Sequence, residues 1–95
     1  MVIKVIIKRK VSQDIDEELR ALLVKLRNKA VAQPGYVSGE TLKNVEDQND
    51  TIVISTWQSL QHWKKWFESD ERAEIQNMVD TIIDEPTQYT VYQYV

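Results

Sequence analysis

Along the first eleven residues, MVIKVIIKRKV, apolar side chains recur at alternate positions, with Ile3, Val5, Ile7 and Val11 on one side of an extended chain. β-Branched residues dominate the run, and Ser12 and Asp14 bound it, so it reads as a strand. The period then lengthens: Ile15, Leu19, Leu22, Leu23, Leu26 and Ala30 recur at helical spacing and form one stripe. Ser12 and Asp14 offer capping oxygens, and Asp16, Glu17 and Glu18 bring negative charge to the first turn. Lys25, Arg27 and Lys29 gather toward the other end, where positive charge complements the helix dipole. Gln33-Pro34-Gly35 stops the helix, because proline cannot continue it and glycine can turn out of it. The pattern predicts a helix over about residues 14 to 32.

Tyr36 to Val45 and Thr51 to Trp57 return to strand composition. The polar turn Glu46-Asp47-Gln48-Asn49-Asp50 between them predicts an antiparallel hairpin. Ser59 to Phe67 reads as a short helix. Ser69-Asp70 caps another, which runs to about Ile83 with Ile75, Met78, Val79, Ile82 and Ile83 on one side, and Pro86 closes it. Thr87 to Val95, with Tyr89, Tyr92 and Tyr94, is the last strand. Strand, helix, strand, strand, helix, strand is the split β-α-β-β-α-β pattern of the ferredoxin-like fold. The predicted class is α+β, a four-stranded antiparallel sheet with its helices on one face. The 95 residues show no linker or internal repeat and form a single domain, 1–95.

Such a sheet should alternate cleanly between apolar and polar residues. This one does not. Val2 and Ile6 oppose Ile3, Val5 and Ile7; Val53 opposes Ile52 and Ile54; Tyr92 and Tyr94 oppose Tyr89, Val91 and Val95. A second apolar face on so short a chain needs a cover, and two sheets packed face to face supply one symmetrically. The expectation is a homodimer through the sheet faces.

Charge and composition narrow the function classes. A net charge of −3 argues against binding nucleic acid through its phosphates, and the sole basic cluster, Lys8-Arg9-Lys10, reads as a solvated strand end. The absence of cysteine excludes disulfides, thiolate nucleophiles and zinc–thiolate sites. The apolar-then-basic start is the reverse of a secretory signal, and no apolar run reaches membrane-spanning length. A soluble cytoplasmic protein is the expectation.

All three tryptophans and the single histidine fall within TWQSLQHWKKWFESD, residues 56–70. At about 100° per residue, Leu60, Trp63 and Phe67 share one helix face, which predicts core. Trp66 lies on its flank, where periodicity favours capping the core edge over lining a cavity. His62 points nearly opposite and reads as a partly exposed residue, neither ligand nor base. One histidine, scattered carboxylates and two glycines assemble no metal triad, nucleophile elbow or phosphate loop. The residues alone give an α+β domain without visible chemistry.

The same segment resembles the antibiotic biosynthesis monooxygenase superfamily. Thr56, Trp57, Ser59, Gln61, Trp63, Trp66, Ser69 and Asp70 match its pattern T-W-x-S-x-Q-x-aromatic-x-x-W-x-x-S-D. PGYVSGETL, residues 34–42, is similar to the family's Pro-Gly-aromatic lead into the second strand. The resemblance implies dimers whose sheets form a shared barrel, with a pocket between sheet and helices. It also implies varied activities, including metal- and flavin-free oxidation of phenolic or quinol substrates, haem degradation, isomerisation of small sugar-like signals, and none known. The tryptophan segment is most similar to the haem-degrading branch, where a tryptophan matching Trp66 packs beside porphyrin. That branch carries an iron-ligating histidine ten residues on, where this chain has Gln76. It also carries an asparagine in the first strand, at the position assigned to Lys8. A neutral amide is a poor axial ligand, so the resemblance implies no haem and no other cofactor. Quinol-oxidising members often place a histidine where Trp66 stands.

The reading that remains is an aromatic-lined pocket for a small phenolic or quinol substrate. Trp66 and Trp57 would stack on a planar ring, and Tyr36, Arg72 and Gln76 would supply hydrogen bonds, with Arg72 the preferred anion partner. The alternatives are a non-catalytic dimeric binding or regulatory module and a haem-binding protein.

Overall fold

In the computed structural model, which describes residues 1–12, 14 and 17–95, strand β1 (Ile3–Lys10) runs through the middle of a four-stranded sheet. The order is β2-β3-β1-β4, with β2 at Tyr36–Lys43, β3 at Asp50–Trp57 and β4 at Gln88–Gln93. Every pairing is antiparallel. Ile3, Val5 and Ile7 face Trp57, Ser55 and Val53 across β1–β3, and Val5 and Ile7 face Val91 and Tyr89 across β1–β4. Side chains in register point to the same side of a sheet, so these residues build one face.

Helices α1 (Glu17–Val31), α2 (Leu60–Phe67) and α3 (Asp70–Asp80) cover that face. The result is the ferredoxin-like arrangement β-α-β-β-α-α-β. Leu26 of α1, Trp63 and Trp66 of α2 and Ile75 of α3 close over Ile3, Val5 and Trp57 as one core. Among the described residues, no helix is long and apolar enough to cross a membrane.

Ser69 makes the joint between α2 and α3. Its Oγ donates to the Trp66 carbonyl at 2.7 Å, and the Arg72 amide donates to it at 3.2 Å, so one hydroxyl finishes one helix and caps the next. Helix α3 stops at Asp80, short of the Ile83 boundary expected from the pattern and well before Pro86. The Thr81 hydroxyl takes the Met78 carbonyl at 2.7 Å there, and the chain turns toward β4. Met78 is exposed, leaving Ile75 and Val79 as the inward stripe of α3. Helix α1 is described from Glu17 onward, and Ile15 of its predicted stripe and Asp16 of its predicted first turn lie outside the described residues. Strand β2 ends at Lys43, where the turn toward Asp50 begins.

Two local features place side chains on the helix side. The pairing of β2 with β3 slips between Tyr36 and Ser38, so Tyr36 and Val37 together oppose Trp57. A bulge of this kind re-aims a side chain: Tyr36 turns against Trp57 while Val37 goes to solvent. Just before it, Gly35 has φ +87°, in the left-handed region that glycine enters without strain. A Cβ at Gly35 would also collide with the His62 ring.

On the opposite face, Ile6, Ile52 and Ile54 are half-buried, and Leu42 and Tyr92 are exposed.

Candidate functional site

A cavity of about 250 Å³ lies between the covered face of the sheet and helices α1 to α3. Its floor is Ile7, Val53 and Ser55, and Leu23 and Leu26 of α1 form one side. Val24 and Arg27 of α1 and Glu40 and Thr41 of β2 belong to the wall yet are exposed, which places the mouth between α1 and the edge strand β2.

One end is aromatic. Trp57 meets Tyr36 edge to face at 5.4 Å between ring centres and Trp63 at 5.7 Å. Trp63 in turn packs on Phe67 at 5.3 Å and on Tyr89 at 6.2 Å. Such offset contacts add to burial in fixing ring orientation. The Trp57 indole N–H donates to Ser55 Oγ at 3.1 Å, so it is satisfied without a ligand. The Tyr36 hydroxyl lies over Gly39, at a spot any larger side chain would fill.

Trp66 is buried and stands in the cavity wall beside Trp63, where periodicity had favoured a cap on the core edge. The inward stripe of α2 therefore runs through Trp63, Trp66 and part of Phe67. Leu60, expected in the core, is 37% exposed, because it occupies the first turn and the buried face begins at Trp63. His62 is absent from the wall; its Nδ1 pairs with Ser59 Oγ at 2.7 Å, and its ring packs against Gly35.

Arg72 closes the wall between α3 and β4. Its Nε donates to the Phe67 carbonyl at 2.7 Å and its Nη1 to the Tyr89 hydroxyl at 2.9 Å. The guanidinium carbon sits 4.4 Å from the Phe67 ring centre and 5.5 Å from that of Tyr89. Cation–π contacts of this kind hold a guanidinium in place.

Gln76 is buried and lies outside the cavity wall. Its Nε2 donates to Asp80 Oδ1 at 2.8 Å and Thr87 Oγ1 at 3.1 Å, and its Oε1 accepts from Arg9 Nη2 at 3.0 Å. Both amide protons are thus committed within the protein. Lys8, assigned to the asparagine position of the haem-degrading branch, faces away from the helices, opposite Ile52, and reaches Asp50 at 3.9 Å. The residues do not fit haem: Gln76 stands outside the wall with its carbonyl oxygen taken by Arg9, and among the described residues no imidazole lines the cavity. A cavity of about 150 Å³ already suffices for one benzene ring. The space here takes one or two rings, not a macrocycle of four pyrroles.

The residue that sequence reasoning passed over is Arg9. It continues the inward series Ile3, Val5, Ile7, is buried, and forms part of the cavity wall. Burial lowers its pKa from the ordinary guanidinium value; Tyr89 and Asp80 pull it back up and Arg72 pushes it further down. Arginine remains charged through such shifts. The signal was available: position 9 is in phase with the apolar face, but its place between Lys8 and Lys10 made it look like part of a solvated cluster.

The site therefore combines aromatic faces with cationic edges, in a ferredoxin-like α+β domain whose cavity opens beside an edge strand. The chain belongs to the antibiotic biosynthesis monooxygenase family, whose match spans residues 2–78. None of the curated proteins is significantly similar to it in sequence. Among solved structures, a conserved protein from Methanosarcina mazei Go1 is similar with a TM-score of 0.85 and 18% identity, over 98% of this chain and 92% of that one. Rv0793 from Mycobacterium tuberculosis gives 0.82 and 18%, over 100% and 96%. SnoaB from Streptomyces nogalater, a cofactor-independent oxygenase, gives 0.82 and 11%, over 99% and 93%. At these identities the likeness is one of fold.

Proposed function

We propose that this chain is a cofactor-independent monooxygenase that oxidises a small phenol or quinol in the cavity between sheet and helices. The observation that carries the reading is the open, tryptophan-lined cavity of about 250 Å³ in a chain of this family. Trp57, Trp63 and Trp66 present surfaces on which a planar ring stacks, and the space suits one or two rings. The fold shared with SnoaB, a cofactor-independent oxygenase, supports the same direction.

In this reaction the substrate is its own reductant. A phenol and dioxygen give a quinone and water: one oxygen atom becomes the new carbonyl, and the other leaves with the ring hydrogen and the hydroxyl proton. The electron-rich form is the phenolate. The protein's part is to bind the ring flat, exclude water and stabilise the anion until oxygen adds.

The test is oxygen uptake by purified protein, in chelator and without flavin, over a panel of hydroquinones, naphthols and anthrones. Uptake matched to quinone formation, and reduced at least about tenfold in Trp66→Ala, is expected for a ring stacked at that tryptophan. No uptake across the panel by folded protein contradicts the reading.

A second reading, a non-catalytic binding module, is favoured by one observation: among the described residues no imidazole lines the cavity, and the one acidic residue along its wall, Glu40, is in register with Ile54 and points to the other face of the sheet. Binding of panel compounds without uptake would establish it. Under either reading we infer a homodimer. The half-buried Ile6, Ile52 and Ile54 beside exposed Tyr92 form a surface that a second copy would cover.

A further inference from the structure

The charges around the cavity run against those of the whole chain. The protein carries a net −3, yet among the described residues the cavity wall contains three arginines, Arg9, Arg27 and Arg72, while its single acidic residue, Glu40, is in register with Ile54 and directs its carboxylate to the other face of the sheet. The three cations differ in what already holds them. Arg27 is exposed at the mouth, where water and salt screen it. Arg72 has a carbonyl, a hydroxyl and two rings. Arg9 is only 8% exposed; its Nη2 donates to the neutral Gln76 amide, and the Tyr89 hydroxyl, which already accepts from Arg72, also lies within its hydrogen-bonding reach. Its Nε is buried without a hydrogen-bond partner, and among the described residues no carboxylate pairs with it.

A guanidinium out of water with a bare N–H is costly unless an anion completes it. Among the described residues no carboxylate does so directly. Asp80 reaches Arg9 only through Gln76, whose amide it orients together with Thr87. That relay has a geometric consequence. With both Gln76 protons committed to Asp80 and Thr87, its oxygen is left to face Arg9, which holds the fork beside Tyr89 in the cavity wall. Such an arrangement matches a planar, oxygen-bearing anion, for which arginine is better suited than lysine.

We infer that the ligand of this cavity is a one- or two-ring aromatic carrying an anionic oxygen, phenolate or carboxylate, and that Arg9 receives that oxygen while the tryptophans stack on the ring. Gln76 is then a positioning residue acting through Arg9. The inference rests on the proposed site and deepens it by naming the charge of the substrate and the residue that selects it.

The experiment measures binding under nitrogen, so it is independent of turnover, and reads the quenching of the cavity tryptophans. 2-Naphthoate and its neutral isostere 2-naphthamide form one arm. The other is 4-nitrophenol, whose anion is distinguished from the neutral form by its absorbance. Wild type should prefer naphthoate by at least about tenfold, the scale of one charged hydrogen bond. It should also bind nitrophenol as the anion at a pH where free nitrophenol is still largely neutral. Success in the carboxylate arm alone assigns a carboxylate ligand, and in the phenolate arm alone a phenolate. In Arg9→Met the preference should fall to within about twofold of unity while naphthamide still binds. Arg9→Gln, which keeps a donor and drops the charge, should do the same and serves if the methionine variant does not fold. Arg72→Met should keep most of the preference. Equal binding of charged and neutral probes by wild type overturns the inference, as does a preference that survives in either folded Arg9 variant. Oxygen uptake with neutral selectivity would sink this assignment alone; anion binding without uptake would sink only the oxygenase reading.

Discussion

On the helix side of the sheet, Ile3, Val5 and Trp57 are almost wholly covered, whereas on the other side Ile6, Ile52 and Ile54 of the same strands are half-covered and Tyr92 is 53% exposed. The two sets alternate along β1 and β3, so backbone and propensity are identical; only the cover differs. On the first side, helices arrive with tryptophans and leave a cavity rimmed by arginines. On the second, Lys4 and Ser38 stand among the apolar ones with no helix above. Apolar residues alone therefore do not define the core of this chain. What packs on them does.

The strongest way to break the comparison is on the covered side. Trp57→Ala removes a 1% exposed indole that touches Tyr36 and Trp63. It should cost about 3–5 kcal/mol in urea denaturation, much of a small domain's stability. On the bare side, Ile54→Glu should leave the chain folded by circular dichroism and halve its mass in sedimentation, since a charge enters the inferred dimer surface. If Ile54→Glu unfolds the chain without changing association, the two faces are not separable in this way. Gly35→Ala tests the turn between α1 and β2 against which His62 of α2 packs. Its φ of +87° and the crowding against His62 predict a loss of about 1–3 kcal/mol.

The smallest effect should come from the outer end of β1, where Lys10 donates to Asp47 at 2.8 Å. The Lys10 hydrogen bond, then the Asn49 amide, hold Asp47 below its ordinary 3.8, and the bond with Asp47 raises Lys10 above 10.5. The Asp47 contribution is thus present above 3.8 and fades as pH falls through its lowered value. The Lys10 contribution is present below 10.5 and fades as pH rises through its raised value. Asp47→Asn should flatten both limbs of stability against pH. Both charged ends reach solvent, which screens the pair, so the change should be the least of the four.

The element order, the hairpin and the helix break at Ser69 were legible because each depends on local rules: period, turn composition and capping. So was the second apolar face. The cavity was only partly legible. Trp66 was visible as a residue, but whether it capped or lined depended on how α2 tilts over the sheet, which no local pattern encodes. Arg9 was in plain sight at an inward position and hidden by its neighbours' charge. Gln76 matched a family position, yet its role as Arg9's acceptor needed Asp80 and Thr87, residues brought together only by the packing of α3 on β4. The Tyr36 orientation required a bulge, which a sequence announces weakly.

The most direct test of the central claim is the fate of dioxygen itself. Purified protein, in chelator and with no added flavin or metal, would be given a naphthol under heavy-isotope oxygen gas, and the product weighed by mass spectrometry. The account predicts a naphthoquinone carrying one heavy oxygen atom at the new carbonyl, formed far faster than without protein and lost in Trp66→Ala. A product whose new oxygen comes from water, or no product from protein that demonstrably binds the naphthol, would contradict it.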